Sequence, residues 1–480
     1  MTTKNRTNRP AARRRRFGVF LGVLMLCFTA AELPAKTPTA ADFLELVANL
    51  QPFDRYVHGN SISVDRKVVF ESATSKRACS LIGAESPILA FEENDRFLCV
   101  TAQGAKSPKV VRRVILIKPS ILIVDDVVGD VPQDGALRWQ LSCRTSPTGA
   151  RGHSVVADTN GKCICSTLWP AEDVPAWTST RQEEPAAECH VEIKPMQGEN
   201  SVRCLHVLSL HPKQEEAVSI KTTIGEKAGV LTLTITGDGD TYRFELPCPG
   251  KDAGTVAVTA ADGKVAVQRR PLPGGILPHG LDGMRLIDRW DRYYRDGRMP
   301  PWNNNLPAAP ALQEAVEKET IKPCRVVVLG CGSGSNAIFL AKKGFDVTAV
   351  DVAPSALGIA MADAQKAKVK VRWVLANVLA LPDLRQFDLI FDRGCYHNVR
   401  YVDAAGFVAS LKQLSRPGTR CFVLSCNRDN APGVREQTMR DDFTETFDFE
   451  WIRPATIHAG KESKDTAKAW SVMLRRKGEE

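Results

Sequence analysis

The sequence contains no Cys-x-x-Cys pair, and no set of its cysteines and histidines has the spacing of a zinc site. No resident metal is therefore expected. The fourteen cysteines would suit an oxidising compartment, yet they fall into no recognisable disulfide framework. Excess charge is scarce as well. The net charge is +9, but the first 35 residues hold Lys4, Arg6, Arg9 and Arg13 to Arg16 against Glu32 alone, which leaves the rest of the chain at only +3. A balance that weak is no footprint for nucleic acid. Internal repeats and low-complexity tracts are missing. So is long helical periodicity between residues 55 and 268.

What is present begins with a three-part N-terminus. A basic stretch ends at Arg16, an apolar run covers 17–31, and small residues follow up to Ala35. The run has the length of a signal-peptide core and is short for a membrane span, so 1–35 reads as a signal peptide or an uncleaved anchor. Arg14-Arg15-Arg16-Phe17, followed by Gly18, resembles a twin-arginine signal. The expected location is the periplasm or cell envelope, with the cytoplasm as the alternative if the signal is not used. Only this segment is expected to meet a membrane.

At 480 residues the chain should hold more than one domain. Residues 40–268 read as strands. "VVRRVILIKPSILIVDDVVG" (111–130) is two β-branched runs broken at Lys118-Pro119-Ser120, and Asn160-Gly161, Asp238-Gly239 and Asp262-Gly263 mark further turns. This pattern predicts an antiparallel β-sandwich. Residues 269–284 are rich in Pro and Gly and read as a linker. From 285 to 480 strands alternate with helices: strand 326–329, helix 336–343, strand 345–350, helix 354–366, then strands at 369–375, 387–391, 420–424 and 469–474. Such βαβα alternation predicts a doubly wound, Rossmann-like sheet.

"VVVLGCGSGSNAIFLAKKGFDVTAVD" (326–351) places a glycine loop between a strand and a helix, with an acid ending the next strand. Gly330, Gly332 and Gly334 give G-x-G-x-G. A dinucleotide fingerprint would need its third glycine at 335, which is Ser. The loop suits a ligand that lies close to bare backbone. Asp351, about 20 residues after the first glycine, stands where a carboxylate reaches ribose hydroxyls.

Here the chain resembles the class I S-adenosylmethionine-dependent methyltransferases. "VLGCGSG" matches their first motif and "VTAVD" their second; "ANVLALP" and "FDLIFDRG" continue the match over about 320–425. The resemblance implies that Gly330, Cys331, Gly332 and Gly334 hold the amino-acid part of S-adenosylmethionine. It implies that Asp351 and Val352 meet the ribose, and that Asn377 and Val378 lie beside the adenine. The family often has Asp where this chain has Asn377. "RWDRYYRDGRMPPWNNN" (289–305) and "FDRGCYHNV" (391–399) resemble the thiopurine, thiol and tellurite methyltransferase group. This implies a segment that folds over the cofactor and narrows the acceptor pocket, through Trp290, Tyr294, Gly297, Pro301 and Trp302. An amphipathic helix whose Trp and Tyr simply pack on the domain is the plainer account.

The sulfonium already activates the methyl group, so a thiol or other soft nucleophile needs little base. For a hydroxyl or amine, His397 is the candidate base, against the plainer reading of a packed histidine. Asp392 is the candidate orienter of cofactor or acceptor, against a strand-end cap. Cys395 is a candidate substrate contact, against a small hydrophobe. In the N-terminal half, "VVRRVILIKPSILIVDDVVG" and "HGNSISVD" (58–65) resemble the C-terminal β-sandwich of heparinase II/III-like polysaccharide lyases. The resemblance implies a polysaccharide partner, with His58 and Asp126 as candidate ligands. No helical stretch of the size of those enzymes' catalytic toroid precedes residue 55, which speaks against lyase activity. The expected function is methyl transfer to a small molecule, with a thiol or other soft nucleophile as the first candidate acceptor. The alternative is an exported carbohydrate-binding or remnant lyase module fused to a degenerate methyltransferase domain.

Overall fold

The computed structural model describes residues 69–478, apart from 73–74, 81–87, 104–109, 118–120, 130–136, 144–152, 159–160, 171–177, 181–186, 194–199, 213–219, 238, 251, 279, 296–298, 301, 303–306, 428–432 and 459–465. The expected signal or anchor, His58, Gly297 and Pro301 lie outside the described residues.

Strands come first: β1 (Val69–Ser72), β2 (Ser75–Ser80), β3 (Ile88–Glu93), β4 (Phe97–Gln103), β5 (Val110–Ile117), β6 (Ile121–Val128), β7 (Leu137–Cys143), β8 (His153–Asp158), β9 (Gly161–Trp169), β10 (Thr178–Thr180), β11 (Ala187–Ile193), β12 (Val202–Pro212), β13 (Lys221–Lys227), β14 (Val230–Gly237), β15 (Asp240–Leu246), β16 (Thr255–Thr259) and β17 (Val265–Pro271). They pair antiparallel in three sheets, ordered β10-β11-β7-β1-β2, β3-β4-β5-β6-β12-β9-β8 and β13-β14-β15-β16-β17. "VLTLTITG" shows why β14 is a strand: Leu231, Leu233 and Ile235 are buried while the residues between them are less so, the two-residue period of a one-sided sheet. These side chains share one apolar core with Phe97, Ile115, Ile123 and Leu205 of the seven-stranded sheet.

The β5–β6 hairpin puts its two arginines opposite its two aspartates. Arg112 grips Asp126 with two bonds of 2.5 and 2.6 Å, and both are buried. Asp126 is thus committed to an internal ion pair, not presented to a sugar or metal. Asp125 is held by Arg203 at 2.9 and 3.0 Å and by Arg113 at 3.3 Å.

The stretch expected to be a linker is an ordered part of the fold. β17 runs to Pro271, residues 273–277 bridge to neighbouring strands, and helix α1 (Gly280–Asp291) starts inside the expected boundary. There follow α2 (Pro310–Glu317), β18 (Arg325–Leu329), α3 (Ser335–Lys342), β19 (Asp346–Asp351), α4 (Pro354–Lys366), β20 (Arg372–Leu375), β21 (Leu389–Arg393), α5 (Tyr396–Leu414), β22 (Arg420–Cys426), α6 (Glu436–Phe443), β23 (Phe447–His458) and β24 (Thr466–Arg476).

The second half is built on one sheet, ordered β20-β19-β18-β21-β22-β24-β23. β18 to β22 are parallel, and β24 joins antiparallel. Val326, Val328 and Phe391 face one buried cluster; Val327, Leu329 and Ile390 face another. Both faces are covered, which is why β18 reads as an unbroken apolar run. The chain leaves β18 toward β19 on one side and later returns to β21 on the other. That reversal opens a crevice beyond the strand ends, where ligands bind in open α/β sheets.

Candidate active site

A cavity of about 440 Å³ occupies this crevice. The volume falls in the range of small-molecule sites. Its floor is the β18–α3 turn. Gly330 and Gly332 line it, with φ of +59° and +55°. Asp351, at the end of β19, faces the same space. Its Oδ2 accepts from Gly332 N at 2.7 Å and its Oδ1 from Ala353 N at 2.8 Å. Burial raises this carboxyl above the ordinary carboxylate range, against the pull of the Ala353, Gly332 and Val352 amides. Each oxygen keeps acceptor capacity for a hydroxyl donor.

Of the three glycines, Gly334 does not line the cavity. A Cβ at Gly330 would lie 2.7 Å from Cys395 Cβ, and one at Gly334 would lie 2.7 Å from the Trp373 ring. Those two positions need glycine for internal packing and positive φ as well as for any ligand. Gly334 caps α3 with φ +84° and lies off the cavity wall. Cys331 joins the buried core, with its amide bonded to Val350 O at 3.0 Å, and does not line the cavity either.

Val352, Ala376, Asn377 and Val378 line the cavity. Asn377 Oδ1 accepts from Leu379 N at 3.2 Å, so it braces its own loop. The opposite wall is aromatic: Trp290, Tyr293, Tyr294 and Trp302. Tyr293 meets Trp302 edge-on at 5.0 Å. Tyr293 was not singled out in the sequence. This wall packs on α4 through Ala353 and Ala356. Asp291 fastens it: its carboxylate accepts from Ser355 N at 2.7 Å and Ser355 Oγ at 3.0 Å, capping α4 from another helix.

Asp392 is fully buried and lies off the cavity wall. Its Oδ2 accepts from Tyr396 N at 3.0 Å, at the first turn of α5. Burial pushes its carboxyl up to about 7. It shapes the turn there, while its Oδ1 has no hydrogen-bond partner among the described residues. His397 does line the cavity, but its Nδ1 accepts from Cys426 N at 3.0 Å. In the neutral ring that leaves the proton on Nε2, a donor rather than a base. Cys395 also lines the cavity, and burial holds its thiol well above the usual range, so it stays protonated.

Arg393 and His458 are among the lining residues that carried no recognised role in the sequence. Arg393, which lay within a quoted motif, donates to the carbonyls of Trp302 and His458, each at 3.2 Å, and has no carboxylate partner among the described residues. Burial lowers its pKa. His458, at the end of β23, is 7% exposed, and neither ring nitrogen has a hydrogen-bond partner among the described residues. It reaches the cavity only because β23 and β24 fold back beside β22. No local spacing in the sequence announces that.

Residues 326–418 match the family model described as a methyltransferase domain. Hemagglutinin 1 of Eikenella corrodens is 30% identical over 24% of this chain and 38% of its own length. The ubiquinone biosynthesis O-methyltransferase of Methylocella silvestris is 33% identical over 22% of this chain and 40% of its own. The chain thus spans about two fifths of those relatives. Among solved structures, the N-methyltransferase NodS of Bradyrhizobium japonicum with S-adenosylhomocysteine is 16% identical, with a TM-score of 0.31 over 40% of this chain and 97% of that one. The glycine floor, the Asp351 carboxylate and the size of the cavity fit a nucleoside carrying an amino-acid tail. Residues 326–418 carry a methyltransferase domain, and S-adenosylmethionine is its cofactor.

Proposed function

We propose that the whole chain is an enzyme that methylates a small molecule, with a thiol or other soft nucleophile as the leading acceptor class. One observation carries the transfer reading: bare backbone at Gly330 and Gly332 lines the same cavity as the Asp351 carboxylate. Asp351 would hold the ribose hydroxyls, the glycine loop the amino-acid tail, and the 376–378 loop the adenine. The cofactor supplies an electrophilic methyl group. The chain's own residues align and enclose: Trp290, Tyr293, Tyr294 and Trp302 exclude water from the reacting atoms.

The acceptor end is the region of Cys395, His397, Arg393 and His458. His397 offers no free lone pair there, and Asp392 is off the wall. An acceptor that arrives ionised, or ionises easily, suits such a site, and the Arg393 guanidinium favours an anion such as a thiolate. A hydroxyl acceptor is the second reading, because neither ring nitrogen of His458 has a partner among the described residues, which leaves the unprotonated one of a neutral ring open to an acceptor's hydroxyl. The test is methyl transfer from labelled S-adenosylmethionine to matched thiols and phenols, with His458→Gln in parallel. Thiol transfer that survives this substitution supports the first reading. Phenol transfer that disappears with it establishes the second.

Export or envelope anchoring belongs to the proposal, on the N-terminal segment alone; use of the chain in the cytoplasm is the alternative. Among the described residues no helix is long and apolar enough to cross a membrane. A carbohydrate contact at the β region, beside a degenerate methyltransferase domain, remains the competing proposal for the whole chain. It loses Asp126 as a ligand.

A further inference from the structure

Residues 273–277 cross between the edges of two sheets. On one side, Gly274 N donates to Leu375 O at 3.1 Å, and Ile276 O accepts from Asn377 N at 3.4 Å. On the other, Gly275 O accepts from Phe91 N, and Leu277 N donates to Phe91 O, both at 3.1 Å. Alternate residues serve alternate neighbours, as an extended strand requires. β3 ends the seven-stranded antiparallel sheet and β20 ends the mixed one. Each edge would otherwise present unpaired backbone groups. The strap is a short strand shared between them.

Its glycines are there for space. Neither Gly274 nor Gly275 has a positive φ. A Cβ on Gly275 would lie 2.8 Å from Ala376 Cβ and 2.8 Å from Pro382 Cδ; one on Gly274 would lie 3.0 Å from Val374 Cγ1. Ala376 has no rotamer to turn, and the Pro382 ring is fixed, so a side chain at 275 must push on the loop that follows β20. That loop supplies Ala376, Asn377 and Val378 to the cavity. Soon after the strap, α1 begins, and it supplies Leu286, Arg289 and Trp290 to the opposite wall. The strap therefore anchors both jaws of the cavity. The β region anchors the strap, through Phe91 and through the buried pair of Arg270 with Glu92.

We propose that the N-terminal β region is a working part of the donor site, with Gly275 a positioning residue that sets the 376–378 loop through the strap. This rests on the methyltransferase reading above. The test uses the full chain titrated with S-adenosylhomocysteine by calorimetry. Gly275→Ala should bind about tenfold more weakly, the effect of overpacking by one methyl. Gly225→Ala, in β13 with nothing within 4 Å of the new Cβ, should bind as the wild type does. A wild-type chain that fails to bind sinks the donor reading itself. A wild type that binds, with a folded Gly275→Ala chain that binds equally well, sinks the strap alone. If Gly275→Ala does not fold, hydrogen exchange on the wild type decides. Coupling is reciprocal, so the ligand must slow exchange at the Gly274 and Leu277 amides as well as at Gly332. Slowing at Gly332 with none at 274 and 277 overturns the proposal.

Discussion

Asp351 accepts from two backbone amides before any ligand is considered, and burial already penalises its charge. Its use for the ribose is therefore separable from its use for the fold. Asp351→Asn keeps the shape and one acceptor but presents an NH2 group toward a donor. Loss of charge-assisted bonds to two hydroxyls should weaken S-adenosylhomocysteine binding by about a hundredfold, read by calorimetry. Asp392 poses a different test. With its folded pKa near 7, it stays protonated in the native state while the unfolded chain ionises, so stability falls as pH rises from the ordinary Asp value toward 7. Asp392→Asn removes that ionisation and can still accept from Tyr396 N. The variant should gain thermal stability relative to wild type at pH 8 and show little gain at pH 4, by melting curves at both values. Asp351 was legible because a carboxylate ending the second strand of a βαβ unit has one place to go. His458 was not, since only the antiparallel return of β24 brings it to the cavity.

Among elements, α4 was read from the sequence with the bounds the structure has, because Pro354 opens it and an alanine-rich run sustains it. α5 was not read as a helix. Its apolar residues do not fall on one stripe, and Asp403, with φ −158° and ψ 97°, interrupts it before accepting from Gly406 N at 2.7 Å. β23 was missed for a related reason: it is an edge strand with a largely solvated face and little apolar run to betray it. The aromatic wall was legible as residue types but not as a fastened element, since the Asp291 cap joins positions 64 residues apart. Asp291→Ala leaves the first turn of α4 without its acceptor and removes one of the two carboxylates that Arg295 pairs with. Loss of a cap of this kind costs about 1–2 kcal/mol. Both the melting temperature and S-adenosylhomocysteine affinity should drop, and Asp291→Asn should recover part of each.

At the scale of the whole molecule, two regions joined in one chain ordinarily move and melt independently unless their contact is extensive and apolar. Here the join is made of backbone bonds on both sides of one strap, and within the β region a buried ion pair between Arg270 and Glu92 and the packing of Arg270 over the Phe97 ring at 5.4 Å hold the strand that leads into the strap. The exposed Arg372–Asp252 pair adds little. Separating the regions would expose the strap's backbone groups. The described regions should therefore unfold in one calorimetric transition, and S-adenosylhomocysteine should raise all of it. Glu92→Ala strands Arg270 in a buried site, and breaking such a pair from one side costs about 3–5 kcal/mol. If the coupling holds, that substitution, made far along the chain from the glycine loop, lowers the same single transition. Two transitions, with only the upper or the lower one responding to the ligand, would mean that the strap ties the regions together in space without tying their stabilities.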